Sequence, residues 1–189
     1  MAVGDLQPQV AAGDRSGAPD AAVIRALSAD EAVASAGKLA DVLLDCIAGG
    51  ASVSFMLDFS RGKAMAYWRS IATEVGAGRR VLFAAGDVDG TAQLVLDTPP
   101  NQQHRAELAK MLVHRRARRT GLGRALFAAV ESEARRRGRT LLTFDTVAGG
   151  DGERLYLACG CTKSGEIPGY ALMPDGAPAA TSIFFKALR

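Results

Sequence analysis

Apolar positions recur along this chain with two different periods, and the switches between them lay out its elements. Ala22 to Leu27 is short and partly β-branched, which predicts a first strand. Ser28, Ala29, Asp30 and Glu31 then form a capping box, so a helix begins there. Val33, Ala36, Ala40, Leu43, Leu44 and Ile47 keep one face of that helix apolar until Gly49 and Gly50 end it. A second helix is predicted from about Gly62 to Val75, with Ala64, Trp68, Ile71 and Val75 on one stripe and Trp68 in the core. Arg80 to Ala85 and Thr91 to Leu96 read as strands, joined by the Asp-Gly hairpin signal within Asp87, Val88, Asp89 and Gly90.

Leu108, Met111, Leu112 and Val113, bounded by His104 and Arg115, predict a largely buried strand. Beyond a basic turn, Leu122, Ala125, Leu126, Ala129, Val130 and Ala134 recur at helical spacing. Arg135, Arg136 and Arg137 suit the negative end of that helix, and Gly138 suits a left-handed cap. Thr140 to Val147 is a further strand, and Gly149 to Gly152 opens a short helix around Glu153 to Ala158. Two last strands, about Thr162 to Ile167 and Thr181 to Leu188, are separated by a turn at Pro174, Asp175 and Gly176. The predicted order is strand, two helices, three strands, helix, strand, helix, two strands, without an internal repeat. Residues 1–20, rich in Ala, Gly, Pro and Asp, carry no periodicity and are expected to form a flexible tail; 21–189 then make one domain.

Composition narrows the functional classes. No apolar run approaches the ~18 residues of a membrane span, and the N-terminus lacks a charged region followed by an apolar one, so a cytoplasmic protein without a membrane partner is expected. Cys46, Cys159 and Cys161 are an odd set without zinc-site spacing, which predicts reduced core thiols and no metal. The net charge of +3 argues for no polyanion by itself, but Arg115, Arg116, Arg118, Arg119 and Arg124 crowd into ten positions. With no interleaved aromatics and no nucleic-acid module around them, nucleic acid is not the expected partner.

That arginine run is punctuated by glycine where a strand gives way to a helix: Arg118, Arg119, Thr120, Gly121, Leu122, Gly123, Arg124. A helix N-terminus leaves about four N–H groups without partners and carries roughly half a positive charge. Glycines there allow close approach, so the turn could wrap a phosphate. A solvated basic turn shaped by its glycines is the plain alternative. Two familiar phosphate loops do not fit: Gly37-Lys38-Leu39 and Gly62-Lys63-Ala64 lack the Ser or Thr of the Walker type, and Leu126 stands where the dinucleotide loop needs Gly or Ala.

The pattern Arg-x-x-Gly-x-Gly at such a junction resembles the pyrophosphate loop of the GNAT superfamily of N-acetyltransferases. Gly49 to Val53, Arg105-Ala106-Glu107, Leu141 to Thr146, and Gly165 to Tyr170 through Gly176 further resemble the tabtoxin-resistance acetyltransferases within it. The resemblance covers nearly everything after residue 20. It implies an α/β (α+β) fold with a mixed, mostly antiparallel sheet of six to seven strands, splayed at its centre and flanked by about four helices. It implies an acetyl-CoA cosubstrate held by Arg118, Arg119, Thr120, Gly121, Leu122, Gly123 and Arg124, with a backbone N–H from Met111, Leu112 or Val113 meeting the thioester oxygen. Tyr156, in Leu155-Tyr156-x-x-x-Gly160, matches the tyrosine that protonates the departing thiolate, an ordinary buried tyrosine being the alternative.

Glu107 and Asp145 stand in the strands flanking the turn, where acidic residues are depleted. By the same resemblance they match acidic positions at the substrate site, one binding an ammonium and the other, more readily Asp145, accepting its proton. Either could instead pair with an arginine. The implied activity is acetyl transfer to the primary amine of a small molecule, such as an amino-acid-like toxin or antibiotic, by a monomer or homodimer. A protein or peptide N-acetyltransferase and a non-catalytic acyl-CoA-binding regulatory module remain the alternatives. Two departures stand out: Arg115 takes a place usually held by proline, and Arg119 one often held by glycine.

Overall fold

The computed structural model describes residues 23–188, so the expected tail lies outside the described residues. One seven-stranded sheet runs through the molecule in the order β1-β2-β3-β4-β5-β7-β6. Its strands are β1 (Ile24–Leu27), β2 (Arg80–Ala85), β3 (Gly90–Val95), β4 (Arg105–Val113), β5 (Leu141–Val147), β6 (Thr162–Leu172) and β7 (Pro178–Ala187). The helices are α1 (Ala29–Ala34), α2 (Ala36–Ala48), α3 (Arg61–Gly76), α4 (Leu122–Arg136) and α5 (Asp151–Ala158). Every neighbouring pair of strands is antiparallel except β4 and β5.

Each face of the sheet buries its own core. On one side Leu126, Phe127 and Val130 of α4 pack on Leu94, Ala106, Leu108, Leu142, Phe144 and Phe184. On the other, Leu39, Leu43, Trp68 and Ile71 of α2 and α3 cover Leu82, Ala84 and Leu112. The capping box forms as the sequence requires, Ser28 Oγ accepting from Glu31 N and the Glu31 carboxylate accepting from Ser28 N. The helix it starts is not continuous through Ile47. Ser35 interrupts it, although Ser35 N still bonds Glu31 O at 2.8 Å and Leu39 N bonds Ser35 O at 2.9 Å, so the result is two nearly continuous helices.

β6 extends past the predicted Ile167 to Leu172. Pro168 and Gly169 interrupt it locally instead of ending it: the pairing with β7 shifts between Ile167 and Ala171, and Gly169 takes φ 63°. A bulge on an edge strand accommodates a proline that has no N–H to give the ladder.

The central feature is a split. β4 and β5 pair only through Arg105↔Leu141, Ala106↔Leu142 and Glu107↔Thr143. Beyond that short base both strands continue, to Val113 and Val147, without pairing to each other. β4 also bulges there: Thr91 lies opposite Leu112 and Gln93 opposite Ala109, and Lys110 takes φ 46°.

Candidate active site

A cavity of about 710 Å³ opens where β4 and β5 part. Met111, Leu112 and Val113 line it from β4, Thr146 and Val147 from β5, and Tyr156 from α5. The turn before α4 forms one wall through Arg118, Arg119, Gly121, Leu122, Gly123 and Arg124. Thr120 is not on that wall; its Oγ1 donates to Ala117 O at 2.8 Å, which shapes the turn.

The turn leaves a run of backbone donors free of protein acceptors among the described residues. Gly121 takes φ 87° and caps α4 in the left-handed region, with nothing within 4 Å of where a Cβ would stand. Arg119 also takes a left-handed φ of 63°, so the place where glycine was expected is filled by a residue in glycine's conformation. Ala125 N bonds Gly121 O at 3.1 Å, but the N–H groups of Arg119 through Arg124 find no protein acceptor among the described residues. These are the unsatisfied donors of a helix start, arrayed along a cavity wall.

The arginine run is less of an anion patch than its sequence suggests. Arg115 pairs with Asp45 through Nε at 2.9 Å, and Arg116 pairs with Asp89 at 2.8 Å. Arg118 turns back so that its Nε donates to Val113 O at 3.1 Å and its Nη2 lies 3.8 Å from Cys46 Sγ. Arg124 reaches Ala158 O at 3.4 Å. Only Arg119 has no hydrogen bond or ion pair among the described residues. The turn is anchored to α2 through Asp45, which accepts from Arg115 N at 2.8 Å as well as from its side chain. Burial pushes the Asp45 carboxyl up, but hydrogen bonds from Arg115 and the charges of His114 and Arg115 outweigh it and hold the group below the usual carboxylate range.

Tyr156 is buried to 7% exposure against Phe127, Phe144 and Phe184. Burial first, then the neighbouring Cys161, Asp145 and Cys159, push its phenol well above the ordinary tyrosine range, so it stays a neutral proton donor. Gly152 permits this close approach of α5 to β5, since a Cβ there would stand 2.5 Å from Thr146 Oγ1.

The two carboxylates lie on the sheet face opposite the α4 core, because Leu142 and Phe144 of β5, and Ala106 and Leu108 of β4, point into that core. Glu107 is ion-paired with Arg105 at 2.6 Å, and Arg105 Nη1 also donates to Thr143 Oγ1 at 3.1 Å. Asp145 is exposed and has no hydrogen bond or ion pair among the described residues. On this face lie the stacked rings of Phe55 and Phe59, centroids 4.1 Å apart, and Tyr67 at 5.2 Å from Phe55.

The loop from Gly49 to Phe59 crosses above the split and is laced to the β6–β7 hairpin. Ser52 Oγ donates to Leu172 O at 2.8 Å, and Leu57 N donates to Pro174 O at 3.1 Å. Gly49 to Val53 and Met173 thereby join the cavity wall. Gly49 to Val53 and Gly165 to Gly176 both carried the resemblance in the sequence, but nothing there indicated that the two segments bond to each other. Thr146, Val147 and the stretch from Gly150 to Gly152 were not singled out either; their signal is position alone, at the end of a strand that abuts a glycine-rich helix start. Among the described residues no cluster of His, Cys, Asp and Glu could hold a metal ion, and no helix is long and apolar enough to cross a membrane.

Comparison with known proteins follows the same outline. The model of the acetyltransferase (GNAT) family matches residues 45–160. The Salmonella typhimurium protein yncA, solved with its cofactor acetyl-CoA, superposes with a TM-score of 0.71 at 17% identity, over 89% of this chain and 94% of that one. A GCN5-related N-acetyltransferase from Kribbella flavida gives 0.74 at 20% identity, over 90% and 100%. A ribosomal-protein-alanine N-acetyltransferase from Brucella melitensis gives 0.71 at 21% identity, over 88% and 99%. At these identities the likeness is one of fold, and the acceptors named for such proteins do not transfer to this chain.

Proposed function

The chain belongs to the acetyltransferase (GNAT) family, and from that premise we propose that it moves an acetyl group from acetyl-CoA directly to the primary amine of a small molecule within a ternary complex. The observation that carries the reading is the run of amides from Arg119 to Arg124, unclaimed by protein acceptors among the described residues, on a turn whose residues other than Thr120 line a cavity of about 710 Å³. Such a row fits a pyrophosphate, with Arg119 adding charge. The lacing of Ser52 to Leu172 and Leu57 to Pro174 favours a small acceptor over a folded protein, because it roofs the side where a polypeptide would have to lie.

An amine of lysine-like pKa is neutral in only about one molecule in a few thousand at pH 7, so the proton must be given somewhere to go. Asp145, which has no counter-ion among the described residues, takes it directly or through water, while Glu107, steadied by Arg105, orients the ammonium. The amine nitrogen then bonds to the thioester carbon and the carbon–sulfur bond breaks. A backbone N–H from Met111, Leu112 or Val113, at the bulge, meets the negative charge that develops on oxygen. The Tyr156 hydroxyl gives its proton to the departing sulfur.

The test is thiol release from acetyl-CoA across free amino acids, β-lactams of the tabtoxin type, aminoglycosides, polyamines and short peptides. Release with at least one small amine, with the acceptor gaining one acetyl group by mass, is expected. Acetylation confined to peptides, or coenzyme binding without any release, overturns the reading.

A further inference from the structure

The bulge in β4 places Lys110 on the acceptor side of the split, and its surroundings are unusual for a lysine. Its Nζ lies 3.0 Å from Ser54 Oγ and 5.9 Å from the centre of the Phe55 ring, with no carboxylate at ion-pair distance among the described residues. Arg80 stands on the same face, its Nη1 donating to Gln93 Oε1 at 2.7 Å, and its charge also acts on Glu74. Gln93 in turn donates to the Tyr67 hydroxyl at 3.2 Å. From β5, the negative charge of Asp145 acts on Lys110.

The charges on this face therefore divide cleanly. Arg105 offsets much of the charge of Glu107 and steadies that carboxylate for the ammonium. Among the described residues Asp145 is left without an ion pair, and Lys110 without a carboxylate at ion-pair distance. A ligand that completed the set would bring an ammonium to Asp145 and an anion to Lys110. Burial pulls the Lys110 ammonium below its ordinary range, the charge of Asp145 opposes that pull, and Arg80 adds to it, so an arriving carboxylate would supply the missing counter-charge. The stacked Phe55 and Phe59 form an apolar wall beside this polar pair.

We propose that Lys110 is a specificity-determining residue that binds a carboxylate of the acceptor, so that this protein acetylates amino acids or amino-acid-like zwitterions in preference to simple amines. The inference rests on the acetyl-transfer reading above and adds the substrate class to it. The plain alternative is that Lys110 merely tethers the loop through Ser54, in which case its loss would weaken every acceptor alike.

The experiment compares matched acceptors differing only in the carboxylate: arginine with agmatine, lysine with cadaverine, and each amino acid with its methyl ester, at saturating acetyl-CoA. The expected result is a kcat/KM for the free acid higher than for its partners by about 10-fold or more, the effect of one charge-assisted hydrogen bond. Lys110→Met should lower kcat/KM for the acid by about 10- to 100-fold, chiefly through KM, and for the decarboxylated amine by less than about 3-fold. Lys110→Arg should keep part of the preference. Coenzyme A affinity measured by calorimetry on both variants checks that they are folded. Equal use of acid and amine by the wild type, or an equal loss for both in Lys110→Met, overturns the proposal and leaves the acetyl-transfer reading standing. No thiol release with any amine overturns both.

Discussion

The backbone of Arg119 offers a measurement that separates the shape of the coenzyme turn from its charge. Its φ of 63° is left-handed, and its guanidinium has no hydrogen bond or ion pair among the described residues. Holding an L-residue there costs roughly 1–2 kcal/mol, and glycine removes that cost while giving back about 0.5–1 kcal/mol through its freer unfolded chain. Arg119→Gly should therefore be more stable than Arg119→Ala by about 0.5–1 kcal/mol. For a chain of this size that is about 1–4 °C in Tm by scanning calorimetry. Both variants lose the same charge, so both should bind coenzyme A about 3- to 10-fold more weakly than the wild type at low salt, the loss shrinking at high salt. An alanine variant as stable as the glycine variant would refute the left-handed backbone. Unchanged affinity in both would refute the guanidinium's part in holding the pyrophosphate.

Further expectations follow from the same cavity. Tyr156→Phe keeps the ring against Phe127, Phe144 and Phe184 but removes the proton donor, so kcat should fall by about 100-fold with coenzyme affinity intact; an unchanged kcat removes the acid role. Asp45→Asn weakens the anchor between α2 and the turn and should raise the acetyl-CoA KM by about 10-fold, which steady-state kinetics checks. Because the folded Asp45 carboxyl titrates below its unfolded value of about 3.9, its contribution to stability is present above that pH and disappears as pH falls through the folded value. The stability gap between wild type and Asp45→Asn in urea should accordingly be open at pH 7 and narrow progressively as pH falls below about 3.9, and a constant gap would contradict the assignment.

The order of elements was legible because each hydrophobic run keeps one period and ends on a recognisable signal: Ser28 with Glu31, the Asp-Gly hairpin, Gly138 at φ 70°. The turn before α4 was legible for the same reason, since glycine at 121 answers a local need of the backbone. What escaped was whatever depends on a distant partner. Five arginines in ten positions looked like one anion patch, yet Asp45 and Asp89, far away in sequence, neutralise two of them and a carbonyl occupies a third. Lys110 drew no notice, because only the bulge in β4 turns it toward Asp145 and Phe55. Pro168 predicted the end of a strand that the edge of the sheet carries on past it.

The short base of the split has a mechanical meaning. With only three residue pairs between β4 and β5, the sheet is two leaves, β1 to β4 and β5 to β7, clasped near one end. One leaf carries the amides of the turn and the other carries Tyr156, so a coenzyme bound along the cavity bridges both. Its binding would act as a rivet across the mouth of the split, adding to the α4 core that already joins the two leaves beneath it.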